Sequence, residues 1–146
     1  MFQIDTWIFD VNNRTWSEGP SLNLPRAHHS CMVDQKTSTI YAMGGVEIST
    51  DPSSSMETLK FDDIDMKWEK GSDLLLPLVK PVAVSSSSDK FIGYLVGGEG
   101  GDFKYQSKIW GLRRSDVKWV EMSKALKVPR FSHGLVKVAE NEIPGC

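Results

Sequence analysis

An all-β fold built from one repeated supersecondary unit is the architecture this sequence predicts, and three recurrences predict it. Trp16, Trp68 and Trp119 stand 52 and 51 residues apart. Pro25, Pro77 and Pro129 keep a spacing of 52. Tyr41-x-x-Gly44-Gly45 returns as Tyr94-x-x-Gly97-Gly98, 53 residues on. Landmarks that recur in one order at a period near 50 residues mark a unit that buries its faces only against its neighbours.

The block from Pro25 to Trp68 shows what one unit contains. Ser30-Cys31-Met32-Val33 is a short apolar run suited to a strand, and Asp34 to Ser38 is a polar turn cluster. Thr39-Ile40-Tyr41-Ala42-Met43 is β-branched and aromatic, a second strand that Gly44-Gly45 ends. A polar loop runs from Glu47 to Ser55. Met56 to Phe61 then alternates with the two-residue period of a half-buried strand. Asp62-Asp63-Ile64-Asp65 is turn chemistry, and Met66 to Glu69 makes a short fourth strand. Four short antiparallel strands per unit describe one blade of a β-propeller.

The other copies keep the phase. Phe9-Asp10, Phe61-Asp62 and Leu112-Arg113 each lie seven residues before a tryptophan, and Asn13, Asp65 and Asp116 lie three before it. The expected division is 1–24, the second half of a blade; 25–76 and 77–128, two complete blades; and 129–146, the start of another. The three tryptophans are expected to fill space between neighbouring sheets. Two whole units and two partial ones fall short of the four to eight blades of a closed ring. The sequence thus reads as a fragment of a propeller. Its open edges lead to an expectation of self-association, with Thr6–Trp16 of one chain beside Arg130–Val138 of another.

These motifs resemble the kelch repeat, whose pattern runs Pro-Arg-x-x-His, Tyr-x-x-Gly-Gly, an aromatic-Asp pair, and Trp seven residues after the aromatic. Pro25-Arg26 with His29, Tyr41 with Gly44-Gly45, Phe61-Asp62 and Trp68 match it. The next copy keeps Pro77, Tyr94, Gly97-Gly98 and Trp119, but has Leu78 for arginine, Pro81 for histidine and Leu112-Arg113 for the aromatic-Asp pair. Pro129-Arg130 and His133 open a further copy. The resemblance spans Thr6 to Val138.

The resemblance implies an interaction module that binds another protein or peptide through loops gathered at one face. The residues just after Pro-Arg and just after Gly-Gly carry over as Ala27, His28, Val46, Val79, Lys80, Glu99, Phe131 and Ser132. The repeat residues Trp16, Arg26, His29, Tyr41, Gly44, Gly45, Trp68, Tyr94, Gly97, Gly98, Trp119, Arg130 and His133 carry over as structural. Some members join substrates to ubiquitin ligases through BTB or F-box domains and others bind actin; no such accessory domain is seen in this sequence. Kelch-like enzymes of the galactose-oxidase type need a Tyr, His and Tyr–Cys copper set. The sequence does not assemble one, since Tyr41 and Tyr94 are accounted for by the repeat, so neither an enzyme nor a cofactor is expected.

Other chemistry finds little support in the residues. The net charge of −2 supplies no basic excess for phosphate neutralisation, which argues against nucleic acid. No apolar run approaches the roughly 18 residues of a membrane span. With no signal-peptide pattern at the start, a reducing, cytoplasmic setting is expected. The two cysteines, Cys31 and Cys146, form no framework, and Cys31 reads as a buried thiol. His29 and His133 hold equivalent positions 104 residues apart, on units separated by a whole unit, which disfavours a metal site, and His28, His29 and His133 read as structural residues of first strands. Asp62, Asp63 and Asp65 lack the twelve-residue calcium pattern. Gly97 to Gly101 lacks the Lys-Ser/Thr and helix of a phosphate cradle. Ser53–Ser55 reads as loop and Ser85–Ser88 as a hairpin turn.

Overall fold

A computed structural model of the chain describes residues 3–47 and 51–138. Among these residues the fold is all-β, with twelve strands and no helix, and no closed barrel forms. A hairpin of β1 (Trp7–Asp10) and β2 (Thr15–Glu18) comes first. The first four-stranded sheet follows, in the order β3 (Ser30–Asp34), β4 (Thr39–Met43), β5 (Met56–Lys60) and β6 (Trp68–Lys70). A small ladder of β7 (Leu78–Val79) with β10 (Glu99–Gly100) leads into the second four-stranded sheet. That sheet runs β8 (Val82–Ser85), β9 (Phe91–Val96), β11 (Ile109–Arg113) and β12 (Trp119–Glu121), again antiparallel throughout. Both sheets are blade-like meanders of the kind expected of a propeller fragment.

The strand alternation decides what packs where. In β3, Ser30, Met32 and Asp34 are buried while Cys31 and Val33 face out. Register places Met32 opposite Tyr41 and Met43 opposite Met56, so these side chains share one face of the first sheet. In the second sheet Leu95 pairs with Trp110, and Leu112 with both Gly93 and Trp119, which makes a matching apolar face. These two faces meet in one core cluster, in which Met43, Met56, Leu95 and Leu112 are completely or almost completely buried. Gly93 allows the approach: a Cβ there would sit 2.6 Å from the Met32 sulfur.

The opposite face of the first sheet carries Ile40, Ala42, Leu59 and Trp68, covered by Leu22 and Met66. Trp68 Nε1 donates to the Pro20 carbonyl at 2.9 Å, which ties this core to the strap after β2. The strap itself is held by Gly19 N–H donating to Thr6 and Leu22 N–H donating to Ile4, both at 2.9 Å. The tight turn between β1 and β2 is capped by Asp10, whose carboxylate accepts the amides of Asn12 and Asn13 and the Asn13 side chain. Those amide bonds hold the Asp10 carboxyl below the usual carboxylate range.

Several expectations need correction. Trp68 and Trp119 are buried as space fillers, but Trp16 is 65% exposed, because no further sheet among the described residues covers its face of the hairpin. Phe61 is not the cross-strand partner of Trp68. Leu59 is, whereas Phe9 and Leu112 do pair with Trp16 and Trp119. The β5–β6 ladder is thus displaced by two residues, and Phe61 falls into a wider turn, 44% exposed. Cys31 is exposed, since it opens onto a groove of about 420 Å³ between the hairpin and the first sheet. Restricted water in that groove pushes its thiol up, against the opposing pull of the Arg26 charge. His29 lies just before β3 rather than in it. Residues 122–138, expected to include a first strand, contain none, and most of their side chains are exposed. Cys146 lies outside the described residues.

Candidate loop-face site

Three loops at equivalent places in the repeat share one backbone conformation. His28, Lys80 and Ser132, spaced by 52, all have positive φ, at +58°, +49° and +49°. The conformation persists although the local sequences differ, being Pro-Arg-Ala-His, Pro-Leu-Val-Lys and Pro-Arg-Phe-Ser. The backbone connects the three positions directly. Lys80 N–H donates to the His28 carbonyl at 2.9 Å, and Ser132 N–H donates to the Lys80 carbonyl at 3.3 Å.

The Gly-Gly pairs supply the second set of loops. Gly45 has φ +88°, and a Cβ there would overlap the Ala27 carbonyl and lie 2.9 Å from the His29 nitrogen. That close approach lets Ala27 and Val46 exchange backbone hydrogen bonds, both at 2.9 Å. The next unit repeats the arrangement, with Val79 laddered to Glu99. Gly98, at φ +103°, donates its N–H to the Arg130 carbonyl at 2.9 Å and so ties the third loop in. Residues after the Pro-Arg position, which is Pro77-Leu78 in the second unit, are therefore joined to residues after Gly-Gly in two successive units.

One part of this surface is a platform of side chains. The Phe131 ring stacks on Tyr105 with centroids 4.5 Å apart and planes at 23°. Lys80 Nζ lies 5.6 Å from the Phe131 centroid, within cation–π range. Tyr105 is bridged to Glu99 through the backbone, and the Gly98–Gln106 loop is closed by Gln106 N–H donating to the Gly98 carbonyl at 2.8 Å. At the tip of that loop Phe103 is 76% exposed. Among the expected binding residues, Lys80, Glu99 and Phe131 come together here, and His28, Val79 and Ser132 join them through the backbone. Ala27 is half-buried, and Val46 is buried beneath its own loop. Tyr105 and Phe103 were not anticipated; the signal was the aromatic spacing of Phe103-Lys104-Tyr105 directly after a glycine-rich stretch.

Behind this surface the repeat residues do structural work. Arg26 is buried and its guanidinium bonds Gly44 O, Ser55 O, Ser55 Oγ and, at 2.8 Å, Glu57 Oε1. Glu57 also accepts the Asn23 amide and side chain. In the next unit the equivalent positions are Leu78 and Trp110, buried to 1% and 2% exposure, so an ion pair has been exchanged for apolar packing. Arg130, at the third equivalent position, is exposed. Glu47 is partly buried, which raises its carboxyl. The hydroxyls of Ser53 and Ser55 outweigh that and hold it below the usual range. Desolvation and the nearby Arg130 charge hold the His133 imidazole below its ordinary value.

Among the described residues, no three His, Cys, Asp or Glu side chains converge as a metal-ligand set. The loop face offers a flat aromatic surface, a cation and main-chain groups, the ingredients of recognition. No known family model matches the sequence, and no curated protein matches it at a significant level.

Proposed function

We propose that this chain is a kelch-type recognition module that binds a protein or peptide segment at its loop face. Phe131 stacked on Tyr105 with Lys80 beside the ring is the observation that carries the reading. Two rigid four-stranded sheets hold loops whose side chains differ from unit to unit, which is how scaffolds commonly carry recognition. The motif order Pro-Arg, Gly-Gly and Trp supports the kelch assignment. Tyrosine, phenylalanine and a neighbouring cation supply rigid contact area with directional charge, the composition of binding hot spots. The partner segment we envisage places a flat side chain on the Phe131–Tyr105 stack and a carboxylate toward Lys80. It meets the module in the cytoplasm, where Cys31 stays a free thiol.

Selection of peptides from a random displayed library on the purified chain tests this. Phe131→Ala and Tyr105→Ala should each weaken the selected peptides by about tenfold or more, and Lys80→Ala should weaken those with carboxylates most. Ile64→Ala, at a fully exposed turn far along the chain, should leave binding unchanged. Selected peptides indifferent to all three loop-face substitutions would refute the placement.

A further inference from the structure

The residues that join the two sheets recur, at the repeat spacing, on two further faces of the described residues. Within the chain, Trp110, Leu112 and Trp119 share one core cluster with Tyr41, Met43 and Met56. Stepping back 103 residues from the first three gives Trp7, Phe9 and Trp16. Stepping forward 53 residues from the other three gives Tyr94, Val96 and Ile109. Both duplicate sets are correctly registered. Phe9 pairs with Trp16 in the hairpin, as Leu112 pairs with Trp119 in the second sheet. Val96 pairs with Ile109, as Met43 pairs with Met56.

Among the described residues the hairpin set is uncovered, while the sheet set is partly covered, with Val96 5% exposed and Tyr94 and Ile109 half-buried. Trp110, Leu112 and Trp119 are 2%, 0% and 5% exposed, whereas Trp7, Phe9 and Trp16 are 61%, 43% and 65% exposed. Phe9 and Trp16 pack on each other with centroids 4.9 Å apart, so the hairpin presents a formed aromatic surface. On the other side, Val84, Tyr94, Val96, Ile109, Met122 and Leu135 line an open apolar depression of about 490 Å³. One surface projects indole and phenyl rings and the other is an open depression.

We infer that a second copy of this chain occupies these faces, the hairpin of one copy docking on the second sheet of the next by the contact that already joins the two sheets. Each copy carries one donor face and one acceptor face, so the association is head-to-tail and either closes or extends. The surfaces share no residue with the Lys80–Phe131–Tyr105 platform, and this inference stands independently of the binding role proposed for that platform.

Sedimentation of the purified chain over a range of micromolar concentrations tests the inference. Wild type is expected to associate reversibly. Trp7→Glu/Trp16→Glu should weaken association at least tenfold, as should Ile109→Glu; circular dichroism and amide-exchange protection of the four-stranded sheets provide the folding control. Tyr94→Arg serves in place of Ile109→Glu if the latter loses that protection. Mixing the hairpin variant with the acceptor-face variant should restore a one-to-one dimer through the two intact surfaces, and no larger species. A monomeric wild type throughout the range overturns the inference, as does association untouched by both variants or a mixture that fails to pair. The first of these would mean that a different chain or segment covers the faces.

Discussion

The backbone N–H of Lys80 donates to the carbonyl of His28 at 2.9 Å, across 52 residues of sequence, and both residues hold left-handed φ angles. The bond couples successive units at the loop face, and it demands a conformation that most side chains resist. Lys80→Gly should therefore keep the turn and the bond while removing the cation over Phe131. Lys80→Val places a β-branched side chain in the same conformation and should be less stable than Lys80→Gly by about 1–2 kcal/mol, measured by urea unfolding. Equal stability of the two variants would contradict the strained backbone.

The buried pair of Arg26 and Glu57 yields a prediction about compensation. Glu57→Leu alone strands a guanidinium that is fully buried, at a cost of about 3–5 kcal/mol. Arg26→Leu alone strands the carboxylate in the same way. The double substitution Arg26→Leu/Glu57→Leu moves toward the apolar solution that Leu78 and Trp110 embody, and should recover a large part of the loss. A double-mutant cycle from denaturant midpoints measures this; additive losses would contradict it.

Gly45→Ala combines an unfavourable φ with a clash against the Ala27 carbonyl and the His29 nitrogen. It should lower stability by more than about 2 kcal/mol. Gly134 has open space around its Cβ position, so Gly134→Ala should leave stability almost unchanged. Thermal unfolding of the two variants side by side reads the difference.

Asp34 carries a pH dependence. Its near-complete burial would raise its carboxyl, but hydrogen bonds from Arg114, the Lys36 amide and Thr37 outweigh that and hold it below the usual carboxylate range. A carboxyl lowered on folding contributes stability that is complete above its unfolded-state value and is lost as pH falls through the folded one. Wild type should lose this contribution as pH drops below about 4. Asp34→Asn should be less stable at neutral pH and show a shallower acid limb in unfolding experiments from pH 6 down. Because Arg114, in the turn just after β11, reaches across to Asp34 at the end of β3, Arg114→Met should flatten the same limb.

The sheets were legible because their signals are local. Tyr41 and Tyr94 sit in β-branched, aromatic runs, and Gly-Gly ends each run, so strand positions followed from period and punctuation. The first strand of the second sheet was less visible, since Val82–Ser85 passes directly into serines. What the pattern could not show was which faces find partners. Trp16 holds the same place in the repeat as its buried counterparts, and its exposure depends on the absence of a covering sheet among the described residues. The displacement that moves Phe61 out of the ladder depends on the length of the turn before Trp68, which a fixed seven-residue spacing hides. At the loop face, Lys80 and Phe131 were named by the repeat resemblance, as positions after its Pro-Arg. Tyr105 was not, because it reaches Phe131 only when the Gly98–Gln106 loop folds over.

Amide hydrogen exchange of the chain with and without a library-selected peptide tests the recognition account most directly. Bound peptide should slow exchange at residues 79–80, 99–105 and 131–132 and leave the β1–β2 turn, residues 11–14, unchanged. Protection confined to residues outside the loop face, with these segments exchanging as in the free chain, would contradict the account.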